Sequence, residues 1–326
     1  MLSNIDFLIV GTGLYGATLS RLLVDSGYTC LLVDKRNHIG GNIYSEKHKD
    51  GYDIHKYGPH IFHTNDDNVW KFVNKYSEWN PYQLNIISCD GKKLYHLPFN
   101  MNTMHDIFGV CTPEEAYEII HKETQDFLSD NGLYITNLEK HAIATVGHTI
   151  YNTLIKGYTT KQWHEDPSNL SPEIIKRLPI RLSFDNRYFD DKYQALPKDG
   201  YANFIKNMIK DIPYILNVNF DYNYCNYWKD KVRFIIYCGP VDELMDYQLG
   251  ELSWRSLRFE DTKYVYNGHN GQGTPIMNWT SLDKEYTRSI EHMWFDVNMQ
   301  KQIAINNALQ YQFNEQTLKS IQYLNS

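Results

Sequence analysis

Cysteine is scarce in this chain. The five residues, Cys30, Cys89, Cys111, Cys225 and Cys238, are scattered over 326 positions with no CxxC pair. Neither a disulfide framework nor a zinc site is expected, and the thiols read as reduced. Long basic runs are lacking and the formal charge is −7, which argues against a nucleic-acid partner. No apolar run approaches the length that crosses a bilayer, and the chain enters its first strand almost at once. A soluble, cytoplasmic protein without membrane insertion is the expectation. Three histidines, His55, His60 and His63, crowd one stretch, but no Cys, Asp or Glu pattern completes a metal site there. A Ser-His-Asp or Cys-His constellation is lacking too, so the sequence signals no protein nucleophile.

What is present begins at Asp6. Phe7-Leu8-Ile9-Val10 reads as a buried parallel strand, and Gly11-Thr12-Gly13-Leu14-Tyr15-Gly16 follows it directly. Leu19, Leu22 and Leu23 then recur at helical spacing, Gly27 stops the helix, and Cys30–Val33 forms a second strand ending in Asp34. Strand, glycine turn, helix, strand and acid in that order form a dinucleotide fingerprint. Gly11 permits the tight turn, Gly13 the approach of a pyrophosphate, and Gly16 close helix–strand packing. The helix N-terminus offers free N–H groups to the phosphates, and Asp34 is placed to accept from a ribose. The motif serves NAD and FAD alike. The next residues, Lys35-Arg36-Asn37-His38-Ile39-Gly40-Gly41-Asn42, carry a second glycine pair that resembles FAD-binding oxidases and their relatives.

The apolar fraction of 42% supports one large domain or two ordinary ones, and 26 tyrosines would suit sugar and base contacts. Asn65-Asp66-Asp67 predicts a helix start, with Val69, Phe72, Val73 and Tyr76 as its buried face. Residues 83–99 predict a hairpin turning at Asp90-Gly91. Thr112-Pro113-Glu114-Glu115 is a capping box with proline at the first helical position, opening a helical region that runs to about Lys176. Period-2 fragments within 180–197 predict antiparallel strands, and a helix with Phe204, Ile205, Met208 and Ile209 leads to a strand over Tyr214–Phe220. That strand and Val232–Cys238 can rejoin the nucleotide sheet. The first domain therefore reads as discontinuous, with the helical region inserted.

Several separate stretches together resemble the UDP-galactopyranose mutase family: GTGLYG (11–16), KRNHIGGN (35–42), HKYGPHIFHT (55–64), LPFNMNT (97–103), KGYTTKQW (156–163), IIKRLPIRLSFDNRYF (174–189), WRSLRFE (254–260) and YTRSIEH (286–292). They keep the family's order. The resemblance implies an α/β fold, an FAD-binding Rossmann-like domain with an inserted helical bundle and an antiparallel sheet over the substrate cleft. Its parts would be 1–80 and 199–252 for FAD, 81–110 and 253–296 for the sheet, 111–176 for the helices, 177–198 for a mobile loop and sheet, and a divergent polar tail over 297–326. It further implies interconversion of UDP-galactopyranose and UDP-galactofuranose for cell-surface glycans. Reduced FAD would be required, with flavin N5 attacking the anomeric carbon and displacing UDP. Family members commonly self-associate, so a homodimer is implied.

On the same resemblance Arg177 and Arg288 match diphosphate-binding arginines, and Tyr188 a tyrosine that reaches the diphosphate. Tyr158, Thr159 and Trp163 match uridine-side and cleft residues, while Asn85, Arg255 and Asn278 line the substrate pocket. His60 and His63 match histidines beside the flavin ring. The implied cofactor-binding set is Gly11, Gly13, Leu14, Tyr15, Gly16, Asp34, Lys35, Arg36, Gly41, Asn42, His60, Ile61, Val218 and Gly239. Taken as side chains alone, these residues have plainer readings. Arg177 could cap a solvated helix end, Arg288 could pair with Glu291 three residues on, and Tyr158 and Trp163 could be core aromatics. The resemblance stops after Phe295, where the family's Gly-Gly-Arg segment is not found. A truncated, impaired UDP-sugar- and FAD-binding homologue and a related FAD-dependent oxidoreductase are the alternatives.

Overall fold

A computed structural model describes residues 5–132, 134–175, 180–260 and 271–301. The chain divides into two compact units, Met1–Tyr82 with Asp191–Thr262, and Gln83–Asp190 with Lys263–Ser326.

The first unit is built on a four-stranded parallel sheet. β1 (Ile5–Val10) is central, with β2 (Cys30–Val33) on one side and the strand Val232–Tyr237 on the other. Val10 lies opposite both Val33 and Tyr237, so the three strands end in register. The continuous apolar runs suit a sheet covered on both faces, and Leu8, Ile9, Leu31, Leu32 and Val33 are fully buried. Helix α1 (Leu14–Asp25) returns over β1 through its small residues Gly16, Ala17 and Ser20. The core continues through Phe220.

Two expectations change here. Beyond β2 the strand is only Tyr214–Ile215, because Asn217 turns to φ 58° and donates its N–H to Arg36 O. The helix predicted after Asn65 spans Asp67–Val73, capped by Asp66, but Val69 is exposed. Its inward residues are Val73, the one buried position, and Trp70, which stacks on Tyr193 and packs against Phe62 and Trp79. Those aromatics belong to a small antiparallel sheet of Phe62–Thr64, Tyr193–Pro197 and Trp79–Pro81. Within 180–197 only Tyr193–Pro197 is a strand. The described residues before it form a loop held by Arg181 on Asp190 and by Arg187 on Asp185, whose carboxyl the guanidinium holds down to about 2.

The second unit contains the helices Met101–Phe108, Pro113–Asn131, Leu138–Ile150 and Lys156–Trp163. The Thr112–Glu115 capping box forms as the sequence predicts. Met101, Met104, Leu138, Ile150 and Tyr151 are among the fully buried side chains of this unit's core. The expected hairpin is Ile86–Cys89 with Leu94–Leu97, its turn organised by Asp90, which accepts from the N–H groups of Lys92 and Lys93. A second antiparallel pair, Ile276–Trp279 with Arg288–Ile290, joins the hairpin through a parallel pairing of Ile276–Trp279 on Ile86–Cys89.

The long helical segment is interrupted. Gly147 has φ 83° and ψ 167° inside Leu138–Ile150, and Tyr151–Ile155 follows as a π turn. Glu123 fills the break, accepting from the Thr149 N–H at 2.9 Å and its hydroxyl at 2.5 Å. A Cβ at Gly147 would strike the Glu123 carboxylate, and the backbone there occupies a region reserved in practice for glycine. Gly147→Ala is expected to destabilise the chain by about 2 kcal/mol or more, read as a lower urea midpoint with an unchanged slope.

Candidate functional site

In the first unit the fingerprint loop lies at the carboxyl ends of β1, β2 and Val232–Tyr237, where the strand order changes direction about β1. This is the position at which open α/β sheets bind ligands. Gly11 donates to Val33 O at 2.7 Å, and a Cβ on Gly16 would collide with Gly11 O. The second glycine pair packs on the first: Gly40 N–H donates to Thr12 O at 3.0 Å, and a Cβ on Gly41 would lie 2.9 Å from Gly13 Cα. Helix α1 has no side-chain cap, and Leu14 and Tyr15 at its start are exposed. Gly239 follows the third strand, and Cys238 lies beside Gly11.

Asp34 is buried and braces this loop. Its Oδ2 accepts from Thr12 N–H at 2.7 Å and Thr12 Oγ1 at 2.6 Å, and its Oδ1 accepts from Arg36 N–H at 2.9 Å. The carboxylate predicted to face a ribose therefore already serves the backbone. Arg36 stacks 4.4 Å over Tyr57 and donates to Asn42 Oδ1 at 2.8 Å, while its Nη1 is buried with no hydrogen-bond partner among the described residues. Lys35 pairs with Glu243 at 3.4 Å, and Val218 donates its N–H to Asp34 O at 2.9 Å. His60 Nδ1 lies 2.8 Å from Gly58 O, which can only accept, so the proton sits on Nδ1 and Nε2 can accept from a ligand. Ile61 follows it, half-buried. His63 is turned to Asp191 at 2.7 Å, a carboxylate it shares with Asn65.

In the second unit three expected residues meet. Arg288 donates from Nε to Asn278 Oδ1 at 3.0 Å and from Nη2 to Tyr158 OH at 3.1 Å. Its Nη1 has no partner among the described residues, and Glu291 instead accepts from Gly271 and Gln272. Asn278 and Arg288 are cross-strand neighbours, and Tyr158 comes from the helix Lys156–Trp163. That helix sits unusually close to the strand end, since a Cβ on Gly157 would clash with Thr280 O. Lys161 completes the contact, donating to Trp279 O, Ser281 O and Tyr286 O at 2.7, 2.8 and 3.0 Å. Burial pulls its ammonium down to about 8.

The remaining expected residues do not join either cluster directly. Thr159 is buried, and Trp163 packs against the helical core. Asn85 is exposed just before Ile86–Cys89, and Tyr188 is anchored beside it by its N–H on Leu84 O at 2.9 Å. Arg255 is exposed on a segment of the first unit without regular secondary structure. Arg177 lies outside the described residues.

A profile of the UDP-galactopyranose mutase family matches residues 153–322, and one described as an NAD(P)-binding Rossmann-like domain matches 9–76. A probable UDP-galactopyranose mutase of Klebsiella pneumoniae is 36% identical over 296 residues, covering 90% of this chain and 75% of that protein. The chain belongs to the UDP-galactopyranose mutase family. This is an isomerase family, and the match spans the stretches 156–163, 174–189, 254–260 and 286–292, which sets the related-oxidoreductase alternative aside. It also runs beyond Phe295, so the likeness does not stop where expected, although the tail holds no Gly-Gly-Arg. A dTDP-fucopyranose mutase of Escherichia coli is 33% identical over 294 residues, covering 88% of this chain and 76% of that protein. The crystal structure of a reduced UDP-galactopyranose mutase superposes with a TM-score of 0.62 at 15% identity, over 90% of this chain and 71% of that one, and shows the fold.

Sequence reasoning passed over Thr12, Gly157 and Lys161. The usable signal for Lys161 was its spacing, three residues after Tyr158 and so on the same helix face. For Thr12 there was none, because the x of a G-x-G motif carries no side-chain requirement. Thr12→Val removes one of two donors to a buried carboxylate oxygen. It is expected to cost about 2 kcal/mol, measured as a lowered urea midpoint against wild type.

Proposed function

We propose that this chain interconverts the pyranose and furanose forms of a nucleotide-diphosphate hexose, with UDP-galactose as substrate and reduced FAD as cofactor, in the cytoplasm. The observation that carries the reading is Arg288. Its guanidinium is oriented by Tyr158 and Asn278 with one amino edge left over, in a family that acts on such substrates. A planar, permanently charged fork suits a diphosphate leaving group.

The residues of the first unit fit a dinucleotide cofactor. An uncapped helix N-terminus suits the pyrophosphate, and the contact of Gly41 on Gly13 keeps the approach to it free of side chains. The orphaned Arg36 Nη1 calls for an acceptor, and His60 Nε2 is free to accept. FAD, when bound and reduced, supplies the nucleophilic nitrogen that no side chain here provides. The protein then binds and orients: α1 and the glycine loops hold the cofactor, and Arg288 neutralises the diphosphate as the glycosidic bond breaks. Ring opening and reclosure leave substrate and product as isomers, so no net oxidant is required. The E. coli relative supports a second substrate reading, a dTDP-linked 6-deoxyhexose.

The visible spectrum of the purified chain with added FAD tests the cofactor half. A structured flavin band is expected, and a folded protein that stays colourless favours the impaired-homologue alternative. Conversion of UDP-galactopyranose and dTDP-fucopyranose under dithionite then separates the two substrates. Arg288→Ala is expected to lower turnover at least 100-fold, about 2.7 kcal/mol, with flavin content unchanged. Loss of flavin in that variant would place Arg288 in the wrong half-site.

A further inference from the structure

Arg288 and its two partners come from three different elements, and their mutual geometry depends on what joins those elements. Tyr158 rides on the helix Lys156–Trp163, while Asn278 and Arg288 sit on strands connected by the turn 280–287. Lys161 touches the connection at both ends. It reaches Trp279 O where the first strand ends, Ser281 O at the start of the turn, and Tyr286 O just before the second strand. An ammonium has three donors, and here each finds one carbonyl. No carboxylate pairs with it among the described residues. The nitrogen is thus a cross-link between helix and turn, not half of an ion pair.

We propose that Lys161 is a positioning residue for nucleotide-diphosphate binding: its ammonium holds the turn between Asn278 and Arg288 against the helix carrying Tyr158, and so fixes the arginine. The proposal rests on the diphosphate reading of Arg288. A neutral amine keeps two donors and turns a lone pair toward the third carbonyl, so the cross-link is complete only in the charged form. The charged and titratable groups on the surrounding elements are Lys156 and Tyr158 on its own helix, Asp283, Lys284, Glu285 and Tyr286 in the turn, and Arg288 on the strand. None of their side chains bonds to Lys161 Nζ, so desolvation is what draws the ammonium down to about 8. The clamp therefore loosens as pH rises through that value.

The test is calorimetric titration of the full chain with UDP at pH 7 and pH 9, for wild type, Lys161→Arg and Lys161→Met. Wild type is expected to bind about fivefold more weakly at pH 9, since about nine-tenths of a group titrating near 8 is then neutral. Lys161→Arg is expected to keep wild-type affinity at pH 7 within about threefold and to lose the alkaline fall, because a guanidinium stays charged. Lys161→Met is expected to bind about tenfold more weakly at both pH values, with an unchanged flavin spectrum. UDP affinity in Lys161→Met equal to wild type, or the same pH response in wild type and Lys161→Arg, would overturn the proposal. If Lys161→Met does not fold, the comparison of wild type with Lys161→Arg decides alone. A wild type that binds no UDP at pH 7 overturns the Arg288 reading and this proposal together. Binding that ignores residue 161 overturns only the latter.

Discussion

Two turns of backbone lie against each other at the head of the parallel sheet, Gly13 on Gly41, and the bracing of the fingerprint loop depends on that contact. Once the turns touch, Gly40 can bond Thr12, Thr12 can present two donors to Asp34, and Asp34 can tie the end of β2 to the end of β1. The uncapped helix start and the buried Arg36 Nη1 are left beside them without a side-chain partner among the described residues. A single methyl group at position 41 would separate the layers and undo the sequence of bonds built on them.

The second unit repeats the device with different parts. Gly157 lets a helix approach a strand end until backbone meets backbone, and Lys161 supplies the polar bonds for the carbonyls crowded there. Carbonyls crowded by that approach need donors. A lysine can reach three of them because its stem is long and its head carries three donors. Arg288 is held differently, by two side-chain oxygens, with its Nη1 without a partner among the described residues.

Much of this was readable in advance where one local rule dominates. The fingerprint strands, the Thr112 capping box and the Asp90 turn all formed as their residues predict, because each depends on near neighbours in sequence. The strand over Tyr214–Phe220 failed at Asn217, whose left-handed backbone is set by a bond to Arg36 that no local pattern announces. Val69 was assigned inward by periodicity, yet the neighbours available to that helix are aromatics that select Trp70. The resemblance named Tyr158, Asn278 and Arg288 separately, as a cleft residue, a pocket-lining residue and a diphosphate-binding arginine, and their hydrogen bonds to one another come from the structure. Lys161 was passed over because its partners are backbone carbonyls, which residue identity does not name, so only its spacing from Tyr158 pointed to it.

The π turn at Tyr151–Ile155 has a consequence for how this part of the chain tolerates length change. Such a turn takes up an extra residue relative to an α-helix without rotating the helix beyond it. Removing one residue within it would let the helix run on regularly while Tyr158 and Lys161 kept their common face. The same deletion within Lys156–Trp163, ahead of those residues, would swing that face by about 100°. The segment thus acts as a spare link, absorbing insertions and deletions upstream of the helix that carries Tyr158 and Lys161.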